Sequence, residues 1–462
     1  MSFATMLKHL TNQPSLPPHP NTLRHLVTLP IDILSLILSS LDRTSLTRIL
    51  CVNRYLNSAV TPLLYRNVLL NPDSGINLLV SAIDSDPGLS FIKALTEKPE
   101  LCNYIHELTV HDHHSVDTSF ADCLEKVIAQ MRNLRHLVIK GCYAPAAEFQ
   151  ISPVLAGRLE RVYAGALSSL FLSNLQCCSL SISLGPPWPL LAYEAILLSP
   201  TLKQLTLHNA AIPDFAAHST NHAAITHSTP LESLTLLCCD ISASNLAKIL
   251  TVPRALTHLS LSGPRQLDLP EYTDSQHSLY LQAIAPQTHS LRKLELGLWR
   301  LRTRDIIPLD FTHLRDLEDL TFTPFVIRVK GYPYNLTPLA TSIENPSPFP
   351  ASLRHLTVFH IFPSTVLDTE NMFMVALAPL LRAALLPNLQ RMTFNTPDSL
   401  CFRREYPLLF PLGWDWIFQS QNRDPVCVQR TRCGLRQSFG ERLGLGNCAC
   451  CDYNFARVVF CK

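Results

Sequence analysis

Apolar residues near the N-terminus recur at the spacing of helices. After Pro30, which suits a first helical turn, they form one helical face that consists of Ile33, Leu34, Ile37, Leu38 and Leu41. Asp42-Arg43-Thr44 then predicts a turn, and Thr44 or Ser45 is suited to cap a second helix that carries Leu46, Ile49 and Leu50.

A third short helix is predicted around Leu56, Ala59 and Val60, and Pro62 is expected to end it. Three helices of this length form a module too small to bury every one of these side chains. We therefore expect part of its apolar surface to contact a partner.

A second pattern recurs along most of the remaining chain. In "LESLTLLCCDI", from Leu231 to Ile241, the order is L-x-x-L-x-L-x-x-C-x-I, with Cys239 at the turn. The frame begins again about every 25 to 36 residues, at Ile105, Leu134, Leu202, Leu256, Leu291, Leu317, Leu353 and Leu389, with Leu175 as the best candidate between Leu134 and Leu202. It resembles the leucine-rich repeat, which implies a solenoid with parallel strands on its concave face and helices on its convex face. Cys142 and Cys239, at the turn position, are predicted to be buried structural thiols.

Residues between the apolar positions of this frame are expected to point outward from the sheet. One outward position is mostly threonine, from Thr109 to Thr393, which favours strand formation before it favours binding. The outward pair before it has mixed charge, and we expect Arg292-Lys293 and Glu318-Asp319 on adjacent strands to neutralise each other. Basic members of these pairs are the candidates for binding a protein partner: Arg135, Lys203, His258, Arg292, Lys293, Arg354 and Arg391. A solvated face, with the partner bound elsewhere, is the alternative.

The N-terminal segment from Leu26 to Leu70 resembles an F-box. Its "LPIDILSLILSSLDRTSLTRILCVNRYLNSAVTPLLYRNVLL" has Leu-Pro, Asp-Ile-Leu, Leu-Asp and Val-Asn-Arg in order, then a Leu-Leu-Tyr-Arg signature common in fungal members. The resemblance implies docking on a Skp-type adaptor, and through it on a cullin, by Leu29, Pro30, Ile33, Ile37, Leu41 and Leu46. Leu56 and Tyr65 stand where many F-boxes carry tryptophan. The alternative is an ordinary helical cap on a larger domain.

Composition narrows the function classes further. The 462 residues are 47% hydrophobic and 16% charged, with 38 basic against 36 acidic side chains, so neither disorder nor a polyanionic partner is indicated. The longest apolar run, "MFMVALAPLLRAALLP", contains Arg382 and is too short to span a membrane. Without a signal-peptide pattern, the 15 cysteines are expected to be reduced thiols. We expect a soluble protein of the cytoplasm or nucleus that binds neither nucleic acid nor membrane.

Candidate catalytic and metal-binding motifs are weak. In "HELTVH", from His106 to His111, the two histidines are one residue too far apart for a zinc-protease motif. His111 to His114 and the pair His218 and His222 are favoured as turn and loop residues over metal ligands. The C-terminal cysteines lack paired C-x2-C spacing and favour thiols in a terminal cap, with zinc as the alternative: Cys427, Cys433, Cys448, Cys450, Cys451 and Cys461. We expect no enzyme activity, no metal site and no cofactor.

The sequence thus predicts an α/β chain with a small three-helix F-box followed by an irregular leucine-rich-repeat solenoid. Its predicted parts are a disordered tail (1–25), the F-box (26–70), the solenoid (71–400) and a cap with a cysteine-rich tail (401–462). The resemblance implies a substrate receptor of a Skp–cullin–F-box ubiquitin ligase, with the solenoid recruiting an unknown protein client. The alternative function is a non-degradative scaffold that uses the solenoid to bind a partner.

Overall fold

The computed structural model shows a mixed α/β chain that divides into two compact units, Met1–Gly185 and Pro186–Lys462. It describes residues 29–70, 87–113, 123–124, 126–142, 173–182, 188–190, 193–212, 214, 225–262, 275–297, 311–322, 349–359, 386–396, 415–420 and 456–461. The N-terminal tail, His218, His222 and the cysteines from Cys427 to Cys451 lie outside the described residues. No helix within these ranges is long and apolar enough to cross a membrane.

The first unit begins with the three helices that the sequence predicts: α1 (Ile31–Ser39), α2 (Arg43–Leu50) and α3 (Arg54–Tyr65). Their shared core consists of Leu34, Leu38, Leu46, Leu56, Ala59 and Val60. Because each of these side chains is nearly inaccessible to solvent, the three helices form one packed module.

Two details of this module differ from the sequence prediction. The cap of α2 is Asp42, whose carboxylate accepts a hydrogen bond from the Ser45 N–H at 2.7 Å, and it is neither Thr44 nor Ser45. Helix α3 does not end at Pro62 but continues to Tyr65. Leu63 and Leu64 pack against the module core, and this packing offsets the hydrogen bond that proline cannot make.

The first unit continues into a parallel sheet. Strand β1 (Asn67–Leu70) follows α3 directly, and helix α4 (Pro87–Glu97) and a 3-10 segment (Pro99–Tyr104) lead into β2 (Glu107–His113). Strands β3 (His136–Cys142) and β4 (Cys177–Ile182) complete the order β1-β2-β3-β4. The sequence frame begins at β2, so it missed β1. It placed β4 correctly from Leu175, which is buried in front of that strand.

The second unit holds the remaining strands. Its described elements are β5 (Trp188–Pro189), α5 (Tyr193–Leu197), β6 (Gln204–His208), β7 (Ala210–Ala211), β8 (Ser233–Leu237), α6 (Ala243–Thr251), β9 (His258–Ser262), α7 (Ser275–Ala283), a 3-10 segment (Ala285–Gln287), β10 (Lys293–Gly297), β11 (Asp319–Phe322), β12 (His355–Phe359), β13 (Arg391–Thr396), β14 (Asp415–Ser420) and β15 (Ala456–Cys461). Strands β6, β8, β9, β10, β11, β12 and β13 are parallel neighbours in that order. Strand β15 is antiparallel to both β13 and β14, and β5 pairs with β7.

The apolar positions of the sequence frame form the buried side of this sheet. In register across six neighbouring strands stand Leu205, Leu234, Leu259, Leu294, Leu320 and Leu356, each at most 1% exposed. Fully burying one such side chain stabilises the fold by about 1.5–3 kcal/mol, and strands β6, β8, β9, β10 and β11 each contribute at least two. The repeated pattern therefore specifies the register as well as the strands.

Each step from strand to strand repeats one backbone arrangement. The two N–H groups at the start of a strand donate to a single carbonyl of the preceding one, as Arg135 and His136 do to His106 O at 2.8 and 3.1 Å. We call the residues that offer these carbonyls the leading row. It comprises Arg66, His106 and Arg135 in the first unit and Lys203, Glu232, Thr257, Arg292, Glu318 and Arg354 in the second. Because the arrangement repeats, leading-row side chains stand side by side on adjacent strands.

Side-chain hydrogen bonds reinforce these steps where the strand is about to begin. The Asn133 amide donates to Asn103 O at 2.7 Å, and the Asn174 amide donates to Arg132 O at 2.9 Å. Ser352 and Asn388 donate in the same manner to Leu317 O and Ala351 O at 2.7 and 2.9 Å. These residues precede the first apolar position of the frame, where the sequence pattern gave no reason to single them out.

Candidate functional site

Helix α1 carries apolar residues on two faces. Leu34 and Leu38 fill the module core, whereas Ile33 and Leu36 are 47% and 70% exposed. Ile33, Leu36 and Ile37 follow one another at helical spacing, so they share a face that the module itself leaves uncovered. An apolar helix face of this kind is a surface for contact with another protein.

The structure separates the six residues predicted to face an adaptor. Pro30 and Ile33 are exposed, Leu29, Ile37 and Leu41 are half-buried, and Leu46 is buried in the module core. Leu46 thus supports the exposed face from beneath and does not reach the surface. Leu29 and Pro30 are held in place by Tyr55, whose hydroxyl donates to Leu29 O at 2.8 Å.

Three exposed apolar residues of this module were missed in the sequence prediction. Ile31 and Leu36 lie on α1 beside Ile33, and Val52 follows α2 with 52% of its surface exposed. The signal for Leu36 was present, since it stands three residues after Ile33 and one before Ile37. It was hidden because a hydrophobic pattern alone does not distinguish a core face from an exposed face.

Leu56 and Tyr65, which replace the tryptophans of many F-boxes, are both engaged inside the first unit. Leu56 is only 3% exposed and belongs to the module core. The Tyr65 ring stacks on Phe91 of α4, with ring centroids 5.8 Å apart. The end of α3 therefore packs against the segment that precedes β2. Strand β1 follows α3 directly and pairs with β2 in the sheet.

The other side of the sheet carries two outward rows in register. The first row in the second unit reads Gln204, Ser233, His258, Lys293, Asp319, His355 and Arg391, and the second reads Thr206, Thr235, Ser260, Glu295, Thr321, Thr357 and Thr393. Ser260, Thr321 and Thr393 are buried, whereas the charged residues of the first row are partly exposed. The threonine row therefore stabilises the sheet, as the sequence predicts, and the first row is more accessible to solvent and to a partner.

Four of the seven predicted basic candidates, Lys203, His258, Lys293 and Arg354, lie within ion-pair distance of a carboxylate. Lys203 pairs with Glu232 at 3.6 Å, and Arg354 pairs with Glu318 at 3.5 Å. Lys293 pairs with Glu295 of its own strand at 2.7 Å. The expected neutralisation of Arg292-Lys293 by Glu318-Asp319 is therefore wrong in its partners. Glu318 and Asp319 instead contact Arg354 and His355, which hold the equivalent register positions on the other neighbour of β11.

His258 lies in a small polar cluster on three adjacent strands. Its Nδ1 is 3.2 Å from Ser233 Oγ, and its Nε2 is 3.9 Å from Glu295 Oε1. Burial and then the charge of Lys293 lower the pKa of His258, while Glu295 and Asp319 act in the opposite direction. Burial raises the pKa of Glu295, but the hydrogen bond and charge of Lys293, together with the Ser260 hydrogen bond and the charge of His258, outweigh it, so the net shift is downward. Both downward shifts favour a neutral imidazole beside an ionised carboxylate at neutral pH.

Among the candidates, Arg135, Arg292 and Arg391 form no ion pair with any described residue. Arg135 and Arg292 are exposed, whereas the Arg391 Nε atom is buried and has no hydrogen-bond partner within the described ranges. The seven predicted residues therefore do not form one continuous basic surface. His355 is occupied as well, since its Nδ1 contacts the Asp319 carboxylate.

The buried thiols do not offer reactive chemistry. Burial raises the pKa of Cys102 to about 11 and that of both Cys178 and Cys239 to about 12. The Cys239 thiol donates to Leu207 O at 3.4 Å, as expected for a structural residue at the turn. Within the described residues, no three His, Cys, Asp or Glu side chains come together as a metal site.

Comparison with known proteins gives a family likeness for the N-terminal helical module. A family model described as F-box-like matches residues 26–71. A crystal structure of the Rad7 and Elc1 complex in yeast is similar at 15% sequence identity, covering 77% of this chain and 92% of that chain, with a TM-score of 0.27. A search of curated proteins gave no match. The F-box-like likeness therefore rests on residues 26–71, which contain α1, α2, α3 and β1.

Proposed function

We propose that this chain is a substrate receptor that joins a protein client to a Skp-type adaptor and, through the adaptor, to a cullin ubiquitin ligase. The observation that carries the proposal is the F-box-like match over residues 26–71, together with the exposed apolar face of Ile33, Leu36 and Ile37. The core beneath that face is already filled by the module's own residues, so the face is available to a partner.

The sheet is the client-binding part in this proposal, and we infer that it is a solenoid of the leucine-rich-repeat type. Strands begin at the predicted frame, their apolar positions are buried in register, and their outward rows are polar. Such a face can bind a protein client through the positions of its polar side chains, and this binding requires no catalytic group.

The proposed mechanism is proximity. Helix α3 runs directly into β1, the Arg66 carbonyl accepts hydrogen bonds from the His106 and Glu107 N–H groups at 2.9 and 3.0 Å, and Tyr65 stacks on Phe91. This connection supports a fixed geometry between the adaptor-binding module and the strands that follow. A client held in that geometry gains effective concentration at the ligase, and we propose no chemical step in this chain. We place this role in the cytoplasm or nucleus.

The experiment that tests adaptor binding is Ile33→Glu in the full-length chain, co-expressed with a Skp-type adaptor. In the complex, the introduced carboxylate would be buried at the interface with no group to neutralise its charge. We therefore expect the adaptor to be lost from the purified complex. Circular dichroism should match wild type, because Ile33 is not part of the module core. Leu279→Glu is the matched control, since Leu279 is also 47% exposed but lies on α7 in the second unit.

Retained adaptor binding by the Ile33→Glu protein would refute docking through this face. Unfolding of that protein would show that the helices form a cap of a larger core. Client stabilisation on cullin inhibition separates a ligase receptor from a non-degradative scaffold, for which client abundance stays unchanged.

A further inference from the structure

The leading row of the first unit has an unusual run of basic residues. Arg66, His106 and Arg135 are consecutive members of the row, joined because each strand start donates to the carbonyl of the residue before it. Adjacent strands lie about 4.8 Å apart, which places the backbones of Arg66 and Arg135 about 10 Å apart. Both arginines are exposed and His106 is half-buried between them.

The same row in the second unit is neutralised by its neighbours. Lys203 pairs there with Glu232, and Arg354 pairs with Glu318. In the first unit, no described acidic side chain forms an ion pair with Arg66 or Arg135. The contrast lies in the order of charges. Opposite charges stand on neighbouring strands in the second unit, whereas in the first unit two arginines stand on either side of a histidine.

The pKa of His106 agrees with its position between two arginines. Burial, followed by the charges of Arg135 and Arg66, lowers the pKa of His106, and only Glu107 acts to raise it. The two guanidinium groups are therefore close enough to His106 to oppose its protonation. Such mutual repulsion is relieved when an anion binds between the cations.

We propose that Arg66, His106 and Arg135 form a binding site for an acidic, extended segment of a partner protein. Two carboxylates three residues apart in a segment extended as polyproline II lie on the same face and about 9 Å apart, which is close to the backbone separation of about 10 Å between the two arginines. Arg135 was one of the basic candidates from the sequence, whereas Arg66 and His106 were not. The assignment deepens the proposed function by giving the client a chemistry, and it relies on that function only for calling the partner a client.

The site lies next to the F-box-like module, because Arg66 directly follows α3. A client segment bound there would be held at the end of the chain that contacts the adaptor. Charge attraction at an exposed site also brings salt dependence, since the Debye length is only about 8 Å at physiological ionic strength.

The test uses the full-length chain, a fluorescein-labelled hexaglutamate peptide and a hexaglutamine peptide as the neutral probe, read by fluorescence anisotropy. We expect hexaglutamate to bind more tightly than hexaglutamine at low ionic strength and to weaken as salt is added. The double variant Arg66→Gln/Arg135→Gln should bind hexaglutamate about 3- to 30-fold more weakly, as the loss of two exposed charge contacts implies.

The matched control is Arg254→Gln/Arg315→Gln, which removes the same charge from two exposed arginines of the second unit. It should leave hexaglutamate binding within about twofold of wild type. Equal losses in the two double variants would reduce the effect to net charge and overturn the site. Displacement of hexaglutamate by inorganic phosphate at constant ionic strength would identify a phosphate site and would also overturn it.

Adaptor co-purification is measured on the same proteins. The Arg66→Gln/Arg135→Gln protein should still capture the adaptor, which shows that its helical module is folded. If wild type captures no adaptor but still binds hexaglutamate, the proposed ligase role fails and the acidic-segment site stands. If it captures the adaptor but does not prefer hexaglutamate to hexaglutamine, the site fails and the ligase role stands.

Discussion

Replacing Gln287 by leucine is the most informative test of how the second unit is held together. Gln287 is fully buried, and its side chain joins three segments of chain. Its Nε2 donates to Leu250 O and Pro253 O at 2.7 and 2.9 Å, and its Oε1 accepts from the Leu256 N–H at 2.8 Å. The end of α6, the start of the β9 segment and the 3-10 segment before β10 are thus fixed by one amide.

Leucine nearly preserves the volume of glutamine but removes all three of these hydrogen bonds. Each buried backbone group left without a partner costs about 1–3 kcal/mol. Pro253 O keeps its contact with His227 Nδ1 at 3.2 Å, so the two other groups together cost at least about 2 kcal/mol. The substitution also removes the contact of the Ser290 hydroxyl with Gln287 Oε1 at 3.0 Å. This loss costs little, because the same hydroxyl donates to Leu256 O at 2.9 Å and keeps that bond. Against a typical total stability of about 5–15 kcal/mol, the loss is large.

Hydrogen exchange is the suitable assay, because a chain of two units need not unfold in one transition. We expect the amide of Leu256 and its neighbours in β9 to exchange much faster in Gln287→Leu, with a lower Tm by circular dichroism. Gln282→Leu is the control, since Gln282 is exposed on α7 and should change stability by less than about 0.5 kcal/mol. If Gln287→Leu and Gln282→Leu are equally stable, the buried amide does not hold these segments.

Three further outcomes are expected. Leu234→Ala should cost about 2–5 kcal/mol and Thr235→Ala well under that, measured by urea unfolding; equal costs would contradict the register. Because the folded pKa of Glu295 lies below its ordinary value of 4.5, its carboxylate stabilises the fold above that pH, and this stabilisation is lost as the pH falls through the folded pKa. The Tm of Glu295→Gln should therefore fall less on acidification, and a curve parallel to wild type would rule the contribution out. Maleimide labelling read by mass spectrometry should modify exposed Cys51 and spare Cys239 in the native protein; rapid labelling of Cys239 would show that its burial is wrong.

Local signals in the sequence predicted the elements better than their ends. The Pro62 prediction followed the intrinsic cost of proline in a helix, but Leu63 and Leu64 needed the helix to continue in order to reach the core. Strand β1 was missed because it is only Asn67–Leu70 and follows a helix without a turn signal. Its pairing with β2 is a long-range contact that no local pattern encodes.

Candidate binding residues were predicted less well, since their meaning depends on neighbours distant in sequence. Lys203 and Arg354 look like free cations along the chain, yet each pairs with a carboxylate at the start of a neighbouring strand. His106 was singled out only as part of a weak metal motif, and its place between two arginines emerges from strand pairing. Gln287 had no signal at all, because a buried amide and a loop glutamine are identical in sequence.

By itself, the sequence determined which side chains are apolar and at what period they recur. This was sufficient for the three N-terminal helices, for most strands of the parallel sheet and for the register between β6 and β13. Those features follow from burying a periodic set of leucines, which is a local requirement repeated many times. The tertiary structure alone decided which face of α1 is core and which is exposed, and which charges are paired and which are left free. The exposure of a face and the pairing of a charge both depend on which residues pack beside it. In a parallel sheet these residues come from the adjacent strand, some 25 residues or more away along the chain.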